Sequence, residues 1–309
     1  MFEPSYLKLI ASGELEHRLK ALYARLSPCR LCPNECGVDR LSGEKGLCQV
    51  GDKPMVSSYG PHFGEEGPLV GFGGSGTIFF TYCNLSCVYC QNWEISHLGE
   101  GEEISVKDLA RIMLLLRARG CHNLNFVTPT HQVPFIVEAL KLAAEEGLRL
   151  PLVYNCGGYE SVETLRLLEG IVDIYMPDFK YADEKVAAKL SKVKGYPQKA
   201  KEALKEMHRQ VGDLVLEEGL AVRGLLVRHL VLPGDLSGTK EVLTFIAREI
   251  SPNTYVNLMD QYRPCGEAWK YPPLDRVLFR EEYEKALKWA REVGLTRLDD
   301  RRSRFIFET

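Results

Sequence analysis

The sequence has no apolar run near the length of a membrane span. It also has little charge of one sign in excess. With 39 basic against 42 acidic residues the formal net charge is -3, which gives no general pull toward nucleic acid or anionic lipid. Residues 1–26 carry charges throughout and lack the continuous apolar segment and small-residue cleavage site of a secretory signal. Cytoplasmic residence is therefore the expectation. No internal repeat and no low-complexity tract interrupts the chain. Apolar residues are not scarce: at 45% over 309 residues they suffice for a sizeable core without crosslinks.

Cysteine is plentiful. A reducing compartment makes ten cysteines more plausible as metal ligands or catalytic groups than as disulfides. Seven fall between residues 29 and 90 in two tight groups, while Cys121, Cys156 and Cys265 stand alone. Residues 5–26 read as an amphipathic helix, with Leu7, Ile10, Leu15, Leu19 and Leu22 near helical spacing. Residues 27–75 are rich in Gly, Pro and Cys, and read as a loop-rich module that relies on a bound metal. The expected division is a helix and Cys-rich module over 1–75 and a second domain over 76–309.

From residue 76 strands and helices alternate. Runs at 77–82, 123–128, 152–156, 172–177, 224–233 and 254–259 are short and rich in Val, Ile, Phe and Tyr, as buried strands are. Helical patterns occupy 105–119, 133–146, 161–169, 183–210, 239–250 and 280–293, with Ser105 and Ser161 as N-caps and Gly120, Gly147 and Gly294 as stops. Strand–helix repetition predicts an α/β fold with a parallel sheet, a partial (β/α)6 barrel or a doubly wound sheet. Reactive residues then belong at the C-terminal ends of the strands.

Cys83, Cys87 and Cys90 form a C-x3-C-x2-C run directly after the first of these strands. Three thiolates so close suit an iron–sulfur cluster, and three ligands on four irons leave one iron open for a substrate or cofactor. A zinc knuckle is the competing reading, and Cys48 or His97 would have to complete it. The spacing and the position after the strand favour the cluster.

The C-x3-C-x-aromatic-C run resembles the signature of the radical S-adenosylmethionine (SAM) superfamily. Residues 64–92, 127–131, 176–181, 228–234 and 256–264 resemble the branch related to pyruvate formate-lyase activating enzyme. The likeness runs from about residue 28 to the C-terminus. It implies a partial (β/α)6 barrel, a 4Fe-4S cluster on Cys83, Cys87 and Cys90, and SAM bound through its methionine end to the open iron. One-electron cleavage of SAM would give a 5′-deoxyadenosyl radical that takes a hydrogen atom from the substrate. Tyr89 maps to the family aromatic that lies against adenine. A flavodoxin- or ferredoxin-like reductant is implied, and a glycyl radical enzyme is one candidate protein substrate.

Relatives carry Gly-Gly-Glu-Pro at the end of the second strand, where this chain has Thr128-Pro-Thr130-His131 and no such Glu. The hydroxyls of Thr128 and Thr130, nearby carbonyls or His131 are the replacements available to accept from the SAM ammonium. Asn155 ends the third strand before two glycines, and offers a donor and an acceptor with room for close backbone approach. Cys156 reads as a small buried hydrophobe. Asp178 and Lys180 match the Asp-x-Lys of activating enzymes and are assigned to SAM. A lone His in a strand usually belongs to the core, but the resemblance brings His229 to the SAM pocket, with Arg228 on the opposite face. Asn257, Asp260 and Gln261 close the sixth strand as polar candidates; His62, Glu65 and Glu66 read equally as a solvated loop.

Cys29, Cys32, Cys36 and Cys48, spaced C-x2-C-x3-C-x11-C, supply four thiolates and so a closed site for zinc or an auxiliary iron–sulfur cluster. The function expected is hydrogen-atom abstraction by cleaved SAM, on a glycyl radical enzyme or alternatively on a small molecule, peptide or RNA. A non-catalytic electron-transfer or scaffold protein is the reading from another class.

Overall fold

The structure is a computed structural model, and it describes residues 2–299. The chain opens with α1 (Tyr6–Ala11) and α2 (Glu14–Ala24). The pattern over 5–26 suggests one helix, but Gly13 adopts φ 77° and turns the chain between two. Glycine holds that left-handed conformation at no steric cost. There follow β1 (Met55–His62), α3 (Gly67–Val70), β2 (Ser75–Phe80), α4 (Trp93–Ser96), β3 (Glu102–Glu103) and α5 (Val106–Ala118). Next come β4 (Leu124–Val127), α6 (Val133–Glu145), β5 (Leu152–Cys156), α7 (Val162–Leu167), β6 (Ile174–Pro177), α8 (Glu184–Leu190) and α9 (Tyr196–Val211). The described chain closes with β7 (Val215–Glu217), β8 (Leu220–Leu230), α10 (Thr239–Phe245), β9 (Tyr255–Met259) and α11 (Arg280–Glu292).

Strands β2, β4, β5, β6, β8 and β9 pair in that order, every pair parallel. This is the expected partial barrel, an α/β fold. Short strands each followed by a helix return the chain to the same end of the sheet every time. Ser105 accepts from the Asp108 amide (3.1 Å) and Ser161 from the Thr164 amide (3.4 Å), so both predicted caps form. The helical pattern over 183–210 breaks into α8 and α9 at residues 191–195. Three additions were not legible. Strand β1 pairs antiparallel with β2, β3 with β1, and β7 with β8.

Strand side chains alternate between two environments. Tyr154, Tyr175, Leu225 and Val227 lie in the large core shared with the helices. Val153, Ile174, Met176 and Leu226 face the inside of the arc, where Leu69 of α3 packs among them. That helix therefore fills the lumen near the N-terminal ends of the strands. Two residues further along, the same inward parity brings up Asn155, Asp178 and Arg228, the beginning of a polar layer.

Candidate active site and metal centres

Strand β2 ends at Phe80, and the cysteine loop begins almost at once. Tyr82 sits at φ 64°, and its amide donates to the Ile95 carbonyl at 3.0 Å. The loop is pinned to the end of α8: Ser86 N–H donates to Ser191 O (3.1 Å) and Val88 N–H to Leu190 O (2.8 Å). Asn84 donates to Tyr159 O at 2.7 Å. The predicted need for glycine after Asn155 is met sterically. A Cβ on Gly157 would stand 2.6 Å from Leu85, and one on Gly158 only 2.2 Å from the Asp178 carbonyl.

The three thiols of this loop share one neighbourhood. Burial pushes the Cys83 thiol up, and the neighbouring Cys87 and Cys90 push it further. Burial also raises Cys87, against the nearby positive charge of Lys180. Each sulfur has a polar contact. The Leu85 amide donates to Cys83 (3.3 Å), Ser96 Oγ donates to Cys90 (3.1 Å), and Ser191 Oγ lies 3.0 Å from Cys87. Among the described residues no three His, Cys, Asp or Glu side chains close on one point as they would around a single ion. A four-iron cluster asks for a wider arrangement, since each thiolate takes a different iron. The donor set fits that group: three thiols from one loop, hydroxyl and amide donors at the sulfurs, and an ammonium beside two of them.

Beside the thiols runs a row of half-buried charges. Lys180 donates to Asp178 at 2.6 Å, Arg228 Nε donates to the other Asp178 oxygen at 2.8 Å, and Arg228 also donates to Asn155 Oδ1 at 2.7 Å. Burial alone would raise Asp178, but the two cations outweigh it and hold the carboxyl below its ordinary range. Burial likewise works against Lys180 and Arg228, and Asp178 keeps both protonated. Glu66 extends the row. One oxygen accepts from Asn257 at 2.9 Å, the other is buried without a hydrogen-bond partner, and burial raises this carboxyl. Asn125 lies on the inward parity of β4, in register with Thr77 and Val153. Both polar atoms of its amide are buried and unpartnered.

Most of the sequence candidates converge here. Asn155, Asp178, Lys180 and Asn257 belong to this polar layer. Thr128 ends β4 at φ 60°, its amide held by Asn155 O at 2.8 Å. Tyr89 is buried, its hydroxyl 2.5 Å from that of Tyr181, with its ring edge-on to Tyr181 and Tyr262.

Three candidates point elsewhere. Thr130 donates to Glu160 at 2.7 Å, in a buried knot with Tyr154. His131 lies behind the strand, its Nε2 bonded to Thr81 O at 2.8 Å, and burial pulls its pKa to about 3. His229 corrects the expectation most directly. Its ring nitrogens meet Phe179 O (2.6 Å) and Thr239 Oγ1 (3.0 Å), and burial lowers it to about 4. It is Arg228, expected on the opposite face, that points into the barrel. Asp260 is half-buried, and the Gln261 carbonyl accepts from Gln91 at 3.0 Å, close to the cysteine loop. His62 and Glu65 pair with each other at 3.1 Å. Glu160 was not foreseen. Burial raises it to about 7, and the only sequence signal was a carboxylate closing Gly-Gly-Tyr after a strand.

The other cysteine group lies together in the N-terminal module, and its side chains do not close on one point either. Cys29, Cys32 and Cys48 are buried and Cys36 is half-buried. Burial raises Cys32, with Cys48 and Cys29 adding to it; burial raises Cys48, with Cys29 and Cys36 adding to that. The turn closes through Cys29 N–H to Val38 O (2.8 Å) and Gly37 N–H to Cys29 O (3.1 Å). Cys156 faces the Glu160 knot, and burial holds its thiol well above the ordinary range.

Among the described residues no helix is long and apolar enough to cross a membrane. The family model described as radical SAM superfamily matches residues 77–226. An uncharacterized protein of Methanocaldococcus jannaschii is 36% identical over 309 residues, which spans 97% of this chain and 85% of that protein. A second uncharacterized protein of the same organism is 25% identical over 157 residues, 45% of this chain and 46% of its own length. The crystal structure of HydG, a maturase of the FeFe-hydrogenase, superposes with a TM-score of 0.51 at 12% identity, over 72% of this chain. This chain spans about half of that structure, 49%. The likeness is one of fold, and its fold is the partial barrel described above. With that fold, the matched family model and three cysteines at the mouth of the first barrel strand, the chain belongs to the radical SAM superfamily.

Proposed function

We propose that this radical SAM enzyme is an activating-enzyme-like oxidoreductase that abstracts a hydrogen atom from a glycine of a partner protein. The observation that carries the reading is the trio Cys83, Cys87 and Cys90, with no fourth cysteine in the loop and Lys180 beside two of the sulfurs. When bound, the 4Fe-4S cluster and SAM together supply one-electron bond cleavage and hydrogen-atom abstraction. A flavodoxin- or ferredoxin-like donor provides the electron.

The chain's own residues bind, orient and exclude water. Cys83, Cys87 and Cys90 hold the cluster as thiolates. Lys180 and Arg228 are the cations available to a ligand carboxylate, and Asp178 fixes both in place. Asn155, Thr128 and Asn257 offer polar groups at the same level. The unpartnered atoms of Asn125 and Glu66 are left for a ligand that brings its own donors and acceptors, such as an ammonium or ribose. Tyr89, Tyr181 and Tyr262 wall the far side of the cysteine loop with aromatic surface, which keeps water from the sulfurs.

The test is anaerobic reconstitution with iron and sulfide, chemical reduction, and addition of SAM. The expected product is 5′-deoxyadenosine, with a changed electron paramagnetic resonance signal of the reduced cluster when SAM binds. An iron-loaded, reduced sample that never yields 5′-deoxyadenosine sinks the reading. With a candidate glycyl radical enzyme present, the expected sign is a glycine-centred radical signal. Turnover of a small molecule, peptide or RNA with no such signal would replace the partner-protein clause.

A further inference from the structure

An open cleft of about 170 Å³ lies between α8 and the turn that carries Tyr271. Val186, Leu190 and Leu236 line it with apolar surface, Tyr271 adds an aromatic ring, and the exposed Lys185 and Lys189 add two ammonium groups. Lys192, just past the end of α8, brings a third. Its Nζ donates to the Tyr271 hydroxyl at 3.1 Å and lies 5.1 Å from the ring centre, with Lys189 Nζ at 5.8 Å. Among the described residues none of these three lysines makes an ion pair with Asp or Glu. The carboxylates of the same stretches are engaged elsewhere. Asp183 accepts from the Val186 amide (2.9 Å), Glu184 from the Gly195 amide (2.6 Å), and Glu267 pairs with Lys270 (2.5 Å).

The cleft borders the cysteine loop of the barrel, and both of its sides grip Val88. Leu190 O accepts from the Val88 amide at 2.8 Å, and the Glu267 amide donates to Val88 O at 2.7 Å. Ser191, between Leu190 and Lys192, has its Oγ 3.0 Å from Cys87 Sγ. One residue thus separates the cleft from a sulfur that the proposed function places on iron.

We propose that this cleft is the docking site of an acidic, flavodoxin-like electron carrier, whose flavin edge meets Tyr271 and whose carboxylates meet Lys185, Lys189 and Lys192. The inference rests on the proposed function in one respect, that a cluster on Cys83, Cys87 and Cys90 has to receive an electron. Three cations without carboxylate partners attract a protein of opposite charge and set its orientation. The apolar lining and the ring of Tyr271 suit the flat, methylated edge of a flavin. A carrier that leaves after each electron needs only a small interface, and a compact cleft flanked by lysines is of that size. One electron passes from the reduced flavin to the oxidised cluster, and no bond forms or breaks.

The test uses the full chain, reconstituted anaerobically, and a purified acidic flavodoxin, with no SAM present. A zero-length carbodiimide cross-linker joins amines to carboxylates in contact. Peptide mass spectrometry should find flavodoxin on Lys185, Lys189 or Lys192, and high salt should abolish the product. In stopped flow, the triple variant Lys185→Glu, Lys189→Glu, Lys192→Glu should slow oxidation of the reduced flavodoxin by roughly 10-fold or more. Reduction by photoexcited deazaflavin, which needs no docking surface, should keep its rate. The same charge change at Lys8, Lys20 and Lys107, on α1, α2 and α5, should have a much smaller effect. Cross-links mapped elsewhere, equal slowing by the two triple variants, or equal slowing with deazaflavin overturns the docking site. A ferredoxin that cross-links at these lysines where flavodoxin does not overturns the choice of carrier. Cluster reduction by flavodoxin without any 5′-deoxyadenosine once SAM is added sinks the proposed function and leaves the docking site standing. If the variants do not fold or no cluster forms, the cross-links on the unaltered chain decide the docking site.

Discussion

Two cations sit deep in this molecule, Arg40 in the N-terminal module and Lys180 beside the cysteine loop of the barrel, and they are held differently. Arg40 is fully buried and donates to the Gly51 and His131 carbonyls beside the Phe135 ring, and among the described residues no carboxylate shares it. Near Cys83 and Cys87, Lys180 is one member of a row in which Asp178 is shared with Arg228, and Glu66 follows at 4.0 Å. An isolated cation tied to carbonyls of two segments holds those segments in one place. A row of alternating charges can open, admit a charged ligand and close around it, since each member keeps a partner. The first arrangement suits a fixed strut and the second suits a site of turnover.

The sharpest break of this comparison is Cys87→Ala. It should abolish iron binding at the barrel mouth and all SAM cleavage while the chain stays folded, as read by iron counting and 5′-deoxyadenosine formation. Next is Arg228→Met, which leaves Glu66 without its cation and Asp178 with Lys180 alone. Breaking a half-buried network from one side costs up to about 3 kcal/mol, the low end for a buried pair, visible as a lower urea midpoint. A surface-sized effect would show that the row is not the network described. Cys32→Ala should lower soluble yield and the melting temperature by roughly 5 °C, with SAM cleavage surviving in whatever folds. Equal and total loss of chemistry in a well-folded Cys32 variant would erase the distinction between the groups.

The smallest effect belongs to a buried carboxyl that serves neither group. Burial raises Asp173 from its ordinary 3.8 to about 7, against hydrogen bonds from the Leu152 and Ser5 amides. Between those values the folded chain binds more protons than the unfolded one. Asp173 therefore makes stability fall as pH rises through that window, and level off above it. Asp173→Asn should flatten the change by about 1–2 kcal/mol, measured as urea midpoints at pH 5 and pH 8. A slope unchanged by the substitution would place the titration elsewhere.

What could be read from the sequence was what is local. The spacing of Cys83, Cys87 and Cys90 lies within one loop, and the strand–helix rhythm lies within each unit, so both were visible. The split of the first helix was signalled by Ser12-Gly13 and overlooked because the leucine spacing runs through it. The exchange of Arg228 for His229 has another cause. Alternation says only that the two face opposite ways; which one faces inward depends on the register with β9, where Arg228 lies beside Asn257. Arg40 and Glu160 were hidden for a third reason, which also left Glu66 reading equally as part of a solvated loop. Each is a charged residue whose burial depends on contacts far along the chain, such as Arg40 with His131 and Glu66 with Asn257. A charged residue in a loop reads as solvated until those contacts are known. Strand β1 contains Gly60 and Pro61, which suppress any strand pattern, and it forms because β2 offers it an edge.

Leu69 bears on what kind of molecule this barrel can work upon. Wedged among Val153, Ile174, Met176 and Leu226, it makes the lumen a cul-de-sac along its axis. A polymer cannot be drawn through such a shape from one end to the other. It has to be offered to the sulfurs as a bend or a loose end, and it has to back out the way it came.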